Sequence, residues 1–365
     1  MTGLSPAGGV AVAHKTLAEF GAERLANLCD GLGMASASRE LVDLFGSLVQ
    51  PWGSRRVGAV PRYCSNVADD QAPFEFAIAI SNGPPEIQAY VDPQGEPPTP
   101  RSNQRAAREL LLTVAPRFEV SLERFRAIED LFLPEAPEPP FSLWLGVSWQ
   151  PGRGLLPKIY LNPHVRGRAE GPALMTEAME RLGLGLAWRT VERLLSLRDG
   201  RDEIGIVALD LEPAGPTRLK IYVRHHRVSV PEVLPLMELT GEFSRRDIAT
   251  FYTSLAGGQG PFLKKPIASV FAFRDSGSLG PAAVSLEFPI GKYVENDAVA
   301  QDRIGRCLRA FGLTTDAYDR AIRAFAIRPL AARAGIHAHV TLRKLAQGPR
   351  VGIYLASEAY GGTSS

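Results

Sequence analysis

The predicted elements of this chain follow a repeated order, in which two amphipathic helices are followed by two β-strands joined by a turn. The strands are recognised as short runs of alternating apolar residues bounded by Gly- and Pro-containing turns. The five strand pairs lie at 73–81 with 86–93, 141–149 with 156–163, 203–212 with 217–224, 268–275 with 282–290, and 336–344 with 350–358. This order predicts ten strands arranged as five hairpins.

A pair of helices precedes each predicted hairpin. In these segments apolar residues recur at three- and four-residue steps, which is typical of amphipathic helices. The predicted helices lie at 11–29 with 37–49, 102–114 with 121–132, 169–184 with 187–198, 231–239 with 245–255, and 297–311 with 316–327. Length alone suggests two or three domains. Because the helix-helix-strand-strand unit accounts for nearly the whole chain, we instead predict a single domain over residues 1–365.

The second strands of the five hairpins can be aligned on their centres. The aligned positions are Gln88, Lys158, Lys220, Ser285 and Gly352, so the successive spacings are 70, 62, 65 and 67 residues. Ten antiparallel strands must hide their edges and their helix-facing surfaces, and a closed barrel with the helices outside does both. We therefore predict an α+β fold, a ten-stranded antiparallel β-barrel surrounded by helices in five ααββ repeats.

Composition and charge exclude several other classes of protein. The chain is 45% hydrophobic and 22% charged, which are globular proportions. Its 41 Lys and Arg residues against 39 Asp and Glu give a net charge of +2, which argues against a nucleic-acid partner. No apolar stretch approaches the roughly 20 residues of a membrane span, and the N-terminus lacks a signal pattern, so we expect a cytoplasmic protein without a membrane partner. The three cysteines are widely spaced and predict neither disulfides nor a zinc site.

The interior of the predicted barrel should carry positive charge. Side chains two residues apart in a strand share a face, which groups Lys158 with Tyr160, and Arg218 with Lys220 and Tyr222. The apolar residues between them belong against the helices, so the polar set faces the lumen. Buried cations are costly unless they pair with carboxylates or bind an anion. A diphosphate is the ligand that this pattern favours.

Tyrosines accompany these cations. Tyr90, Tyr160, Tyr222 and Tyr354 occupy equivalent places in four of the five second strands. Aromatic faces stabilise cations, so a group of tyrosines around the lumen favours a carbocation next to the diphosphate. The alternative is that Lys and Tyr are simply common strand residues on a solvated face.

Two carboxylates are candidates for the lumen. Glu75 shares a strand face with Ala77, opposite the bulky Phe74 and Phe76. It could accept a hydrogen bond from a substrate N–H or take a proton, and the alternative is a salt bridge to one of the lumenal cations. Asp210 either faces inward at a strand end or serves as a turn residue.

The segments PFEF (73–76), KIYLNP (158–163), ALDLE with RLKIYV (208–223), FPI with YVENDAVA (288–300) and IYLASEAY (353–360) resemble indole prenyltransferases of the dimethylallyltryptophan synthase type. The resemblance runs from about residue 10 to the end and implies their ABBA or PT barrel. It also implies an enzyme of secondary metabolism, such as alkaloid biosynthesis. The implied reaction transfers the dimethylallyl group of dimethylallyl diphosphate to the indole ring of tryptophan or a tryptophan-derived metabolite.

The resemblance also implies the cofactor requirement and the roles of individual residues. No aspartate-rich D-D-x-x-D motif is present, so Mg²⁺ and other cofactors are not expected. A monomer or homodimer is expected. The implied roles are diphosphate binding for Lys158, Arg218, Lys220, Arg343 and Gln88, shielding of the allyl cation for Tyr90, Tyr160, Tyr222, Tyr354 and His339, and binding of the indole N–H for Glu75.

Some positions depart from the family pattern. Gln88 stands where an Arg is usual, and Ser285 and Glu287 stand where Gln or Lys and Tyr are usual. These departures keep open the alternative of a non-catalytic barrel that binds a phosphorylated metabolite. The same barrel could also serve a phenolic or naphthalene acceptor, although Glu75 favours indole. His337 with His339 could instead form a metal-binding pair, although no third ligand of suitable spacing is near.

Overall fold

The computed structural model describes residues 14–150, 152–212 and 218–360. Within these ranges the chain forms ten strands and ten α-helices in the predicted order. The strands are β1 (Phe74–Ile80), β2 (Glu86–Val91), β3 (Leu143–Gln150), β4 (Gly154–Leu161), β5 (Asp202–Asp210), β6 (Leu219–His225), β7 (Ile267–Phe273), β8 (Ala283–Phe288), β9 (His337–Leu345) and β10 (Gly348–Ala356). The helices are α1 (Leu17–Leu32), α2 (Ala35–Gly53), α3 (Pro100–Val114), α4 (Glu123–Phe132), α5 (Gly171–Arg181), α6 (Gly185–Ser196), α7 (Val230–Met237), α8 (Arg245–Ala256), α9 (Asp297–Ala310) and α10 (Asp316–Phe325).

The strands close into one antiparallel barrel. Each strand pairs with its neighbours in the sequence, and β1 pairs with β10 to complete the circle. The predicted fold class is therefore confirmed. The observed bounds differ from the predicted ones by a few residues, and residues 11–13 of the first predicted helix and residue 217 of the sixth predicted strand lie outside the described residues.

Local sequence signals set the helix ends. At the start of α1 the Glu19 N–H donates to the Thr16 hydroxyl, while the Thr16 N–H donates to the Glu19 carboxylate. This reciprocal capping box satisfies two N–H groups that the first helical turn leaves without partners. Gly33 ends the same helix in the left-handed conformation with φ of 73°, which a residue without a Cβ adopts without strain. None of the helices in the described ranges is long and apolar enough to span a membrane.

The main hydrophobic core lies between the barrel and the helices. Alternate strand residues face outward into this layer, and examples such as Phe74, Phe76 and Ile159 are fully buried. The Phe45 ring of α2 packs edge-on against Phe74 at 5.5 Å between ring centroids. Because the outward-facing residues supply this core, the inward-facing residues are left to form a site.

The two ends of the barrel differ. All five hairpin turns lie at one end, which we call the turn end, and the connections to the helices lie at the other, which we call the helix end. At the helix end the buried Asp70 carboxylate accepts hydrogen bonds from the Ser357 hydroxyl at 3.0 Å and the Ala359 N–H at 3.1 Å. These bonds tie the segment before β1 to the segment after β10 across this end.

Candidate active site

A cavity of about 730 Å³ enters the barrel from the turn end. Nine of the eleven residues predicted for the site line this cavity, and the other two, Glu75 and His339, lie on the lumen side nearer the helix end. The lining residues from the prediction are Gln88, Tyr90, Lys158, Tyr160, Arg218, Lys220, Tyr222, Arg343 and Tyr354. From the turn end inward, the predicted cations therefore line the cavity first and the tyrosines lie behind them.

Three of the cations gather around the Asp210 carboxylate at the end of β5. Arg218 Nη2 lies 2.5 Å from Asp210 Oδ2, and Lys220 Nζ lies 2.7 Å from Asp210 Oδ1. Lys158, which pairs in register with Asp210 across the β4 and β5 ladder, donates to Gln88 Oε1 at 3.3 Å. Of the two alternatives for Asp210, the inward-facing one is correct. Its side chain holds the cations of β6 in fixed positions.

The charges in this cluster do not balance. Burial alone would raise the pKa of the Asp210 carboxyl, but the Lys220, Lys158 and Arg218 charges outweigh burial and hold that pKa well below its usual range. Burial lowers the pKa of Lys158 to about 8, and the Asp210 charge only partly offsets this effect. One carboxylate thus compensates the charge of three cations only in part, and the remaining positive charge can bind an anion.

Two further arginines extend the cluster. Arg343 on β9 and Arg350 on β10 are cross-strand partners, and both line the cavity. Arg350 forms an ion pair with Glu86, whereas among the described residues no carboxylate lies within ion-pair distance of Arg343. Burial lowers the pKa of Arg343 to about 10. Arg350 was missed in the sequence, although its place four residues before Tyr354 puts it on the same strand face.

The lowered pKa of Lys158 predicts a pH dependence. The ammonium carries its charge below about pH 8 and loses it above, so kcat/KM for a diphosphate substrate should fall as the pH rises through 8. Lys158→Arg should weaken this decline, because an arginine stays protonated throughout, and the part that remains belongs to Lys220, whose pKa burial also lowers. The measurement is kcat/KM for the donor between pH 6 and 10 in both proteins. The same decline in the arginine variant would assign it to another group.

The four predicted tyrosines form a continuous arc beyond the cations. The ring centroids of Tyr90 lie 5.5 Å from Tyr160 and 5.7 Å from Tyr354, and those of Tyr160 and Tyr222 lie 6.5 Å apart. The Tyr90 hydroxyl donates to Gln88 Oε1 at 2.6 Å, so Gln88 connects the arc to the Lys158 ammonium. We call these four side chains the tyrosine arc.

A glycine leaves room for the arc. A Cβ added to Gly146 of β3 would lie 3.0 Å from Tyr160 Cε2 and 3.2 Å from Tyr90 Cδ1, closer than ordinary packing. Gly146→Ala should therefore displace the two rings and lower the free energy of unfolding by about 1–3 kcal/mol. Denaturant unfolding measures this change. Gly280→Ala is the control, because its Cβ would meet no atom within 4 Å. Equal stability of both variants would contradict the close packing of the arc.

Glu75 is buried at the helix-end side of the arc. It pairs in register with Tyr90 across β1 and β2 and has 7% of its surface exposed. Burial, followed by the charge of Asp69, raises the pKa of the Glu75 carboxyl well above its usual value, and the Lys265 charge opposes this only in part. The alternative of a salt bridge to a lumenal cation is wrong. Lys158 contacts Gln88 instead, and Arg218 and Lys220 contact Asp210.

A second group of polar residues lies beside Glu75. His339 Nδ1 is 3.0 Å from Glu287 Oε1, and His339 Nε2 is 2.9 Å from the Lys265 ammonium, which also contacts Asp69 Oδ1 at 2.7 Å. We call these four residues the deep polar cluster. The His339 ring is 6.4 Å from that of Tyr354, so the cluster adjoins the arc. Lys265 and Asp69 lie in loops, where strand alternation gives no signal.

A β-bulge separates the two histidines proposed as a metal pair. Val340 pairs with Ile353 but His337 pairs with Leu355, so β9 carries one extra residue opposite Tyr354. His337 consequently faces the helices, where its ring nitrogens lie 2.9 Å from Asp297 Oδ1 and 2.9 Å from the Tyr318 hydroxyl. The metal-pair alternative is therefore wrong. Over the described ranges no group of three or more His, Cys, Asp or Glu residues could hold a metal ion.

Comparison with known proteins identifies the family. Residues 35–321 match the family model of tryptophan dimethylallyltransferase. The chain belongs to this family. Its membership confirms the resemblance found in the sequence and makes the chain an aromatic prenyltransferase, which sets aside the alternative of a non-catalytic barrel. The barrel and the lumen described above are thus those of a member of the tryptophan dimethylallyltransferase family.

Solved structures agree with this family. The 6-dimethylallyltryptophan synthase from Micromonospora olivasterospora, in complex with DMASPP and Trp, is 34% identical with a TM-score of 0.88, and the match covers 95% of this chain and 99% of that one. The 5-dimethylallyl tryptophan synthase from Streptomyces coelicolor, also with DMASPP and Trp, is 27% identical with a TM-score of 0.86, over 95% and 96% of the two chains. AnaPT from Neosartorya fischeri, at 16% identity, shares the fold with a TM-score of 0.76 over 96% and 94%.

Proposed function

We propose that this protein transfers the dimethylallyl group of dimethylallyl diphosphate to the indole ring of tryptophan or a tryptophan-derived small molecule, without a metal ion. Residues 1–365 act as one barrel domain in this proposal. The main support for this proposal is the order of groups along the lumen from the turn end. The excess positive charge comes first, then the tyrosine arc, and then the buried carboxyl of Glu75. The solved relatives crystallised with DMASPP and Trp support the choice of donor and acceptor.

The first step is ionisation of the donor. When the C–O bond breaks, negative charge develops on the departing diphosphate. Lys158, Lys220 and Arg218 are positioned before the reaction, so they stabilise this charge without reorganisation. Asp210 acts as a positioning residue through its bonds to Lys220 and Arg218. Arg343 and Gln88 complete the binding of the diphosphate.

The second step depends on the tyrosine arc. An allyl cation next to the arc is stabilised by the faces of the aromatic rings. The arc also keeps water away from the cation, which would otherwise be converted to an alcohol. His339 extends the shield beside Tyr354, at 6.4 Å between the rings.

The third step is attack by the indole ring. Glu75 accepts a hydrogen bond from the indole N–H, which orients the ring and increases its electron density. Burial raises the pKa of the carboxyl in the free protein, and an N–H donor in contact with it favours the ionised form. Loss of a proton from the resulting arenium ion restores aromaticity and completes the reaction.

The lysines and arginines take over the task that a divalent cation performs in other diphosphate sites. Guanidinium and ammonium groups bind phosphate oxygens directly, and at least four of them line this cavity. The reaction should therefore proceed at the same rate in excess EDTA.

The test is a product assay. The purified protein is incubated with dimethylallyl diphosphate and tryptophan, with and without EDTA, and the products are separated by chromatography and identified by mass spectrometry. Prenylated tryptophan is expected in both conditions. Absence of prenylated product across tryptophan, indole dipeptides and indolactams would overturn the proposal. A marked preference for a phenol or dihydroxynaphthalene in the same panel would favour the phenolic alternative, and loss of product in EDTA alone would overturn only the metal independence.

A further inference from the structure

The register of the barrel places a carboxylate in the same ring as the tyrosines. At the level of the tyrosines, the second strand of each hairpin contributes one lumenal residue to a ring. From each tyrosine, the register across the intervening strand leads to the residue two positions before the next member of this ring. Tyr90 lies across β3 from Lys158, which precedes Tyr160, and Tyr160 lies across β5 from Lys220, which precedes Tyr222. The strand register at the level of the tyrosines therefore shifts by two residues from each hairpin to the next.

The same step leads from Tyr222 to Glu287. Tyr222 lies across β7 from Ser285, which is two residues before Glu287. Glu287 lies across β9 from Gly352, which is two residues before Tyr354. Glu287 thus occupies the fifth position of the ring, between the two ends of the tyrosine arc. Its carboxylate is therefore lumenal, level with the tyrosine rings.

The surroundings keep Glu287 ionised. Burial alone would raise the pKa of its carboxyl, but His339, whose Nδ1 is 3.0 Å away, together with Lys265 and Arg224, lowers it below the usual value. Glu75 nearby has a raised pKa, to which the charge of Glu287 contributes. Two carboxyl groups whose environments separate their pKa values in this way are suited to different tasks in one reaction.

We propose that Glu287 removes the ring proton from the arenium ion, with His339 as a positioning residue that holds the carboxylate toward the lumen. This inference rests on the proposed function. In the step, the C–H bond at the prenylated carbon breaks, its electron pair returns to the indole π system, and the proton bonds to a Glu287 carboxylate oxygen. The diphosphate has already left with the electron pair of the C–O bond. The proton passes to water when the product leaves.

Other groups near the arc are less suited to this step. The tyrosine hydroxyls stay protonated, since burial raises the pKa of Tyr222 well above its usual value, so they offer no phenolate to take the proton. Lys265 donates to His339 Nε2 and pairs with Asp69, so it has no free electron pair. Glu75 is occupied by the indole N–H in the proposed mechanism. Of the other two carboxylates in this region, Asp69 is paired with Lys265 at 2.7 Å, which leaves Glu287.

The test uses tryptophan deuterated at the five ring carbons that bear hydrogen. In the wild-type protein we expect ionisation of the donor to limit the rate, so light and heavy tryptophan should react equally and the product of the heavy substrate should keep four deuterons. Glu287→Gln keeps the size of the side chain but removes the base. It should react about 100-fold more slowly, as expected for loss of a general base. Proton removal should then limit the rate, and a normal primary isotope effect should appear.

Two further variants separate the base from the shield. Glu287→Tyr completes an aromatic ring of five but supplies no carboxylate, so it should stay slow and show the isotope effect. His339→Gln should give an intermediate rate and a smaller isotope effect, because the carboxylate remains but is less well held. Circular dichroism checks that each variant is folded. Glu177→Gln, on the exposed face of α5, is the matched control and should behave as wild type.

The possible results separate the role of Glu287 from the proposed function itself. A slow Glu287→Gln protein without an isotope effect would show that the carboxylate acts by charge or shape alone and would overturn the inference while leaving the proposed function intact. A wild-type product that keeps all five deuterons would overturn it as well, since no ring C–H bond would then be broken. A wild-type protein that prenylates no indole would overturn the proposed function itself.

Discussion

Lys220→Met should lower turnover of the proposed reaction by about 100- to 1,000-fold, the loss typical when one preorganised group that stabilises transition-state charge is removed. The Lys220 ammonium lines the cavity and is held 2.7 Å from Asp210 Oδ1. Methionine keeps an unbranched side chain one atom shorter than that of lysine, but leaves the diphosphate one cation short. The loss should fall on kcat and on kcat/KM for the donor, with little effect on KM for the acceptor.

Lys344→Met is the matched control for this prediction. Lys344 also lies on a barrel strand, but its ammonium pairs with Asp247 of α8 at 2.6 Å, on the helix side of the sheet. Its substitution should leave turnover within a factor of about two, since surface ion pairs contribute about 0–1 kcal/mol. If Lys220→Met were as active as the control, the lumenal cation cluster would not bind the leaving group.

Glu75→Gln should lower turnover by about 10- to 100-fold, because a neutral amide oxygen accepts the indole N–H more weakly than a carboxylate does. In the wild type, activity should rise with pH as Glu75 ionises. The rise in activity should occur at a pH above the usual pKa range of Glu, since burial raises the pKa of the Glu75 carboxyl well above that range. The Glu75→Gln variant should not show this rise of activity with pH. The measurement is kcat/KM for tryptophan against pH.

The same variant should not lose stability. A carboxyl whose pKa is raised in the folded state contributes stability that is fully present below its unfolded pKa and is lost as the pH rises through the folded value. The amide in the Glu75→Gln protein does not titrate and carries no such pH dependence, so the thermal midpoint at neutral pH should be unchanged or higher. A lower midpoint together with low activity would mean that Glu75 is needed for the structure instead of for binding the indole.

The fold could be predicted because its signals are local and repeated. Strand alternation, helix periodicity and a spacing of 62–70 residues each indicate the same unit, and closure follows from the need to hide strand edges. The lumenal positions of Lys158, Lys220 and the tyrosines follow from the two-residue period alone. These features required no knowledge of contacts between distant parts of the chain.

The rest of the site depends on contacts that the local pattern does not encode. The bulge at residues 338–339 reverses the face of His337, and one inserted residue leaves no mark on the alternation. Lys265 and Asp69 are 196 residues apart and meet through loops at the helix end. Asp210 could be read as a turn residue until the ladder with β4 placed it opposite Lys158. The pairing of Glu287 with His339 likewise required the register of β8 against β9.

In the proposed reaction, the tyrosine arc separates a donor compartment at the turn end from an acceptor compartment beside Glu75. A crystal structure of the protein with dimethylallyl thiolodiphosphate and tryptophan tests this arrangement. We expect diphosphate oxygens within hydrogen-bond distance of Lys158, Lys220 and Arg218, and the indole nitrogen within the same distance of Glu75. A diphosphate bound outside this cation cluster, or an indole whose N–H points away from Glu75, would contradict it.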